Sequence, residues 1–285
     1  MDYAQYRTNS PLGDEDRQNA LPTTTRATKA SPIVDGVLRV SDTYLEIVDQ
    51  PYYSKGAKAP FIFLCITAAC VFTAYLSLTA LSSRTVLTIS DIAFSSLFSS
   101  APFIAGILWL RWEFKKGLFS YTHAPIILNR HNRTIYVFKH NGSNGVLAVP
   151  WDKLFFCIGG IIIPKRYDNG FRSVLAIVVD DDGIVRDAFG LGNTDHTIEF
   201  LQRKWAYFQL YMEKGVDAVP PPPCIVPGRE TWRESFSTVV GWFGGGWLAI
   251  IFSPVILLQT TARHLGFLIS KTPEWPADVK AACQW

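Results

Sequence analysis

Charge is scarce in this sequence: Asp, Glu, Lys and Arg make up 18% of it, against ~25% in soluble proteins. Hydrophobic residues make up 48%, so part of the chain is expected to live in lipid. One-sided charge is missing as well. The net charge is +3 with both signs spread along the chain, which leaves no basic stripe to neutralise a row of phosphates, and nucleic acid is not expected as a partner. The five cysteines, Cys65, Cys70, Cys157, Cys224 and Cys283, contain no CxxC pair, and His123, His131, His140, His196 and His264 contain no pair four residues apart. Local spacing therefore encodes no metal or redox centre, and the thiols read as free cysteines of a reducing compartment. No serine stands in a GxSxG elbow. The first twenty residues are polar and acidic where a signal peptide would carry a basic patch and an apolar core, so no cleavable leader is expected.

What is present is a set of long apolar runs. Ala59 to Ser83 carries no charge between Lys58 and Arg84, enough to cross a hydrocarbon layer of ~30 Å at ~1.5 Å per residue. Ile92 to Leu110 is a second such run between Asp91 and Arg111, diluted by Ser95, Ser96, Ser99 and Ser100 and interrupted by Pro102. Small residues mark a helix-packing face, so these two helices (59–111) are expected to pack on each other as a transmembrane hairpin. Lys55 and Lys58 precede it, Lys115 and Lys116 follow it, and only Arg84 lies between, which puts both ends in the cytosol.

The expected class is an α+β membrane protein. Residues 1–31 show no apolar period and read as a disordered tail, and residues 32–58 read as a juxtamembrane β-hairpin turning at Ser41-Asp42. Residues 115–217 read as a cytosolic β-rich domain. Its strands include PIILNRHNRTIYVFKH, GVLAVPW, KLFFCIGGIIIP and SVLAIVVDDDGIVRDAFG, with Asn-Gly and Asp-Gly turns. An amphipathic helix then starts at an Asn193-Thr194-Asp195 cap, ends at Gly215 and carries Ile198, Leu201, Trp205, Phe208 and Met212 on one stripe. Strands closed by one helix in this order suggest a pleckstrin-homology-like barrel. Residues 218–228, with Pro220 to Pro223, read as a stiff linker. Residues 229–285 read as a membrane-associated segment whose charge-free stretch, 235–262, spans the bilayer, dips into it or lies in the headgroup layer.

No motif in the chain carries catalytic chemistry, and neither an enzyme nor a cofactor is expected. Gly190 to Asp195 lacks the third glycine of a nucleotide loop, and Asp195 would repel an anion. Asp180 to Asp182 are contiguous where a calcium loop alternates its acids. Cys157 reads as a buried strand thiol of raised pKa. The candidate contacts are Trp232, Trp242 and Trp247 for a protein partner or the membrane interface, and Lys165, Arg166 and Arg172 for lipid headgroups.

At TYLEIVD (Thr43 to Asp49), WDKL (Trp151 to Leu154) and PEWPADVKAAC (Pro273 to Cys283) the chain resembles an uncharacterised family of bacterial inner-membrane proteins encoded near type VI secretion or polymorphic-toxin effectors. The resemblance implies an immunity or accessory role at the cytoplasmic membrane, with a secreted effector or secretion component as partner. The expectation is thus a non-enzymatic binding protein that blocks a membrane-active effector by association. The alternative is a membrane scaffold whose β-domain reads lipid headgroups.

Overall fold

In a computed structural model, residues 8–23, 31–49, 52–53, 55–56, 59–83, 88–113, 121–160 and 172–285 are described. The chain divides into two units. Unit 1 is Met1–Tyr53, His123–Gly228 and Thr272–Trp285, and unit 2 is Ser54–Thr122 and Arg229–Lys271.

Unit 1 holds two antiparallel sheets. One contains β2 (Val37–Val40), β3 (Tyr44–Ile47), β4 (Ile126–Asn129), β5 (Thr134–Phe138) and β6 (Val146–Pro150) in that order. The other has the order β1-β9-β8-β7, from β1 (Ser10–Pro11), β7 (Leu154–Gly160), β8 (Arg172–Val179) and β9 (Ile184–Gly190). Among the described residues of this unit are the helices α1 (Asp14–Gln18), α4 (Ile198–Lys214) and α8 (Ala277–Ala282).

The strand residues alternate between two buried environments, as a period of two requires. Leu45 and Ile47 of β3 and Ile126 and Leu128 of β4 enter the main core. Their neighbours Tyr44, Glu46 and Asn129 turn the other way and are covered by the C-terminal peptide. On the core side α4 lays down Leu201, Trp205, Phe208 and Met212, all buried, whereas Ile198 at the start of the expected stripe is exposed. Trp205 stacks on Trp151 at 5.4 Å and meets Phe156 at 4.5 Å. The WDKL segment is therefore a structural corner, with Trp151 in the core and Asp152 accepting two hydrogen bonds from Arg133, at 3.0 and 2.7 Å.

Several expectations need correction. The tail is not featureless: over residues 8–23, Ser10 pairs with Val185, the Leu21 amide donates to the Phe156 carbonyl (2.8 Å), and Pro22 accepts from the Trp205 indole (3.0 Å). The hairpin over 32–58 is not separate, because β3 pairs with β4 and extends the central sheet. Helix α4 starts at Ile198, later than its expected cap, because Asp195 is still held in an extended bridge to Arg172 by two backbone hydrogen bonds of 2.9 and 2.8 Å. Residues 218–228 are not a free linker. Ile225 bridges Val37, the Val226 amide donates to the Val37 carbonyl (2.7 Å), and the Tyr52 hydroxyl donates to the Pro227 carbonyl (2.9 Å).

Unit 2 is helical: α2 (Ala59–Ser82), α3 (Ile89–Glu113), α5 (Trp232–Trp242), α6 (Gly246–Ile251) and α7 (Ser253–Ile269). Helix α3 begins three residues before the charge-free run because Asp91, which bounds that run, is a capping residue. Its carboxylate accepts from the Thr88 amide (3.1 Å) and hydroxyl (2.6 Å).

Replacing Trp205 by Ala removes the ring on which Trp151 and Phe156 close. Unfolding of the detergent-solubilised full chain is expected to lose ~3–5 kcal/mol, measured by denaturant titration. A loss below 1 kcal/mol would contradict the core described.

Candidate functional site

Unit 2 turns many large apolar side chains outward and packs polar and small ones between its helices, beside the buried Val239, Ile256 and Phe267. Along the seam between α2 and α3 the hydroxyls of Ser77 and Ser99 lie 2.7 Å apart, and Gly106 admits Ile66, whose side chain would stand 2.9 Å from a Cβ there. Ser99, one of the serines that dilute the second apolar run, is thus a packing residue. The outer faces expose Leu64, Val71, Phe72 and Leu78 on α2 and Phe94, Leu97, Phe103 and Leu108 on α3. Both helices are long and apolar enough to cross a membrane.

The second half of the unit has the same character. Helix α5 opens on a capping box, the Glu234 amide donating to the Thr231 hydroxyl and the Thr231 amide to the Glu234 carboxylate (2.7 Å). Helix α7 buries one narrow stripe, Ile256, Thr260, Arg263 and Phe267, and exposes Val255, Leu257, Leu258, Leu265, Leu268 and Ile269. Arg263 has no exposed surface, and its partner Glu230 is buried beside it. Arg263 Nε and Nη2 donate to the two Glu230 oxygens at 2.7 and 2.6 Å, and Nη1 donates to the Lys55 carbonyl at 3.0 Å. The Ser235 hydroxyl donates to Glu230 at 3.0 Å, and the rings of Trp242 and Phe267 lie 5.4 and 5.2 Å from the guanidinium. A bidentate pair with its remaining donors engaged is what burial of an arginine demands. Gly56, at φ +77°, lets the chain before α2 pass the α7 backbone, since a Cβ there would stand 2.7 Å from the Arg263 Cα.

The candidate residues fall as follows. Trp232, 42% exposed, sets its ring against His264 (5.7 Å). Trp242 is 41% exposed beside Arg263, and Trp247 on α6 is 68% exposed. All three are on unit 2. Lys165 and Arg166 lie outside the described residues, and Arg172 stands at the first position of β8. Lys58, Arg84, Lys115 and Lys116 also lie outside the described residues.

Unit 1 contributes a covered carboxylate. The Trp275 indole donates to Glu46 Oε1 (2.8 Å), the Thr43 hydroxyl donates to the Cys283 carbonyl (3.0 Å), and Trp285 stacks on Tyr44 (5.3 Å) with Arg39 over its face (4.3 Å). Asn129 donates to the Ala282 carbonyl (2.8 Å). Residues 272–285 are accordingly part of unit 1, and the expectation of one membrane-associated segment over 229–285 is corrected there. Burial pushes the Glu46 carboxyl above the ordinary glutamate value, opposed by the Trp275 N–H and Arg39. Burial, with Asp16 nearby, likewise pushes the Cys157 thiol up to about 12, which keeps it unreactive. Asp180 is engaged in its hairpin turn, accepting from the Ile184 amide (2.8 Å) and pairing with Arg186 (2.5 Å). Among the described residues no three His, Cys, Asp or Glu side chains gather where a metal would sit.

Sequence reasoning missed Glu230 and Arg263 because they are far apart in the chain, and each reads as an ordinary flank of an apolar run. The signal available was the lone arginine inside a helix that is otherwise apolar, which needs an acid somewhere.

A chain with helices of this kind in one unit and two sheets in the other is an α+β protein with two helices fit to cross a bilayer. Its residues 103–284 match the model of a family of unknown function, DUF6708, and the chain belongs to that family. No curated protein and no solved structure matches it.

Replacing Glu230 by Ala strands a buried guanidinium and is expected to cost ~3–5 kcal/mol in detergent-solubilised unfolding, while pairing Glu230→Leu with Arg263→Met recovers most of the loss. Equal losses for the single and double variants would contradict the pairing. Because the folded pKa of Glu46 is raised, its stabilising contribution is whole below the ordinary value of 4.5 and is lost as pH rises through the folded value. Glu46→Gln keeps an acceptor for Trp275 and removes that loss. The variant's stability relative to the parent is expected to rise with pH from 4.5 upward in melting curves; a constant difference across pH would refute the assignment.

Proposed function

We propose that the chain is a membrane-anchored binding protein without catalytic chemistry, in which unit 2 is the anchor and unit 1 the cytosolic recognition module. The observation that carries this is the outward apolar surface of α2 and α3, joined along a seam of serine and glycine. In water such faces would be a large aggregation liability, and in lipid they are the ordinary surface of a spanning helix. The basic residues flanking the pair put its two ends, the N-terminus and unit 1 on the cytosolic side. The two sheets and α4 of unit 1 are compatible with a pleckstrin-homology-like module.

The resemblance carried by TYLEIVD, WDKL and PEWPADVKAAC gives the finer reading: an immunity or accessory protein at the bacterial inner membrane, binding a secreted membrane-active effector of the type VI kind. Association alone would be the mechanism. Unit 1 and Trp232, Trp242 and Trp247 would supply the contact surfaces. In the competing reading, unit 1 binds anionic headgroups through Lys165, Arg166 and Arg172.

Two measurements test this. Membranes from cells producing the full chain, washed with alkaline carbonate, are expected to retain it, and its release would overturn the anchor. Cells producing the effector encoded beside the gene are expected to die without this chain and survive with it. Equal survival removes the immunity role. In that case charge reversal at Lys165, Arg166 and Arg172 that abolishes binding to anionic vesicles would favour headgroup recognition.

A further inference from the structure

We infer that residues 229–271 form a re-entrant hairpin that enters one leaflet of the bilayer and returns to the side it came from, with the acyl chains of that leaflet as its partner. The inference rests on the membrane reading above. It decides among the three placements that the sequence leaves open for 235–262, in favour of dipping in, and it fixes the side on which residues 272–285 emerge.

The ends of the segment are tied together. Arg229 Nη2 donates to the Ser270 carbonyl (3.0 Å), and Lys271 bridges Tyr121, its carbonyl accepting from the Thr122 amide (2.8 Å). Tyr121 in turn accepts from Lys55 Nζ (2.7 Å), and Lys55 accepts from Arg263. The residues that precede α2, follow α3, precede α5 and follow α7 are thus held at one place in unit 2. A single crossing would separate Arg229 from Ser270 by the hydrocarbon thickness, ~30 Å, which a direct hydrogen bond forbids. Two crossings are excluded by length. At ~1.5 Å per residue α5 (Trp232–Trp242) reaches ~16 Å, half of what a span needs.

Half a bilayer is what the pair is built to enter. Trp232 meets His264 at 5.7 Å and Phe243 meets Phe252 at 5.6 Å, so α5 runs antiparallel to α7 from a common root to a common tip. Every charge lies at the root: Arg229, Glu230, Arg233 and Glu234 on the way in, Arg263 and Lys271 on the way out. From Ser235 to Ala262 there is none. The tip turns through Gly244, Gly245 and Gly246, at φ +73°, +66° and +61°. Two of its amides are satisfied within the chain, Gly244 donating to the Gly241 carbonyl (3.1 Å) and Gly245 to the Val240 carbonyl (3.2 Å), in the way that backbone placed away from water requires. Ile250 beside it is 76% exposed. The one charge pair along the hairpin, Arg263 with Glu230, is closed on itself and buried.

The test is topological labelling of the full chain in membrane vesicles. Cys65, Cys70 and Cys224 are replaced, the buried Cys157 and Cys283 are kept, and single cysteines are placed at Thr8, Ser90, Ile250 or Thr272. A membrane-impermeant maleimide is then applied to right-side-out and to inverted vesicles. Thr8→Cys and Thr272→Cys are expected to label from one face, Ser90→Cys from the opposite face, and Ile250→Cys from neither until detergent is added. Labelling of Thr272→Cys from the Ser90 face means a single crossing and overturns the inference, as does labelling of Ile250→Cys from either face. If Ser90→Cys labels from the Thr8 face, the membrane reading itself fails, and the inference with it. Leu257→Cys replaces the Ile250 variant if the latter does not accumulate.

Discussion

Ile47 faces Ile126 across the ladder between β3 and β4, and the chain between those two residues passes through the whole of α2 and α3 before it returns. The entropy of closing such an excursion grows only with the logarithm of its length, ~0.6 kcal/mol per doubling, so a sheet edge can hold a long insertion almost as easily as a short one. What it needs is a seam that specifies the return. Four residue pairs in register, burial of Leu45, Ile47, Ile126 and Leu128, and an amide of Ala124 donating to the Asp49 carboxylate (3.2 Å) supply it. The second excursion, through α5 to α7, is seamed in the same manner within unit 1, where His123 Nδ1 lies 3.1 Å from the Gly228 carbonyl and Asn141 engages Thr272 and Glu274.

Within unit 2 the corresponding duty falls to one ion pair. Packing among its helices buries Val239, Ile256 and Phe267 and leaves many large apolar residues outward. Glu230 and Arg263 supply a directional link, with Ser235 and the Lys55 carbonyl satisfying what remains of their hydrogen-bonding capacity. Such a pair specifies an arrangement more than it stabilises one, because dehydration of both charges offsets most of their attraction.

Much of this was legible in the sequence for a physical reason: the signals that carried were local. Short apolar runs bounded by turn signals located β4 and β5, Asn144 and Gly183 took the positive φ that their turns require, and Ser99 of the second apolar run lies on a packing face, as its size predicts. What stayed hidden depends on partners far away in the chain. Nothing local to Ser10 or Leu21 announces that they pair with β9 and β7, and polyproline composition says nothing of Val37 waiting to receive Val226. The Trp205 stripe was readable because a helix face needs only its own period, while its true start was not, since it is delayed by the backbone of Arg172. Two of the motifs that carry the family likeness, TYLEIVD and PEWPADVKAAC, turn out to touch each other through Thr43 with Cys283 and Glu46 with Trp275. They are two halves of one packed seam.

That seam sets a schedule for biosynthesis. Tyr44 and Glu46 leave the ribosome early, but the residues that cover them, Trp275 to Trp285, are made only after both helical excursions. Until then one face of the central sheet is bare, with an aromatic ring and a carboxylate open to water. A nascent chain that has not reached Pro273 therefore exposes a sheet surface that the finished protein hides.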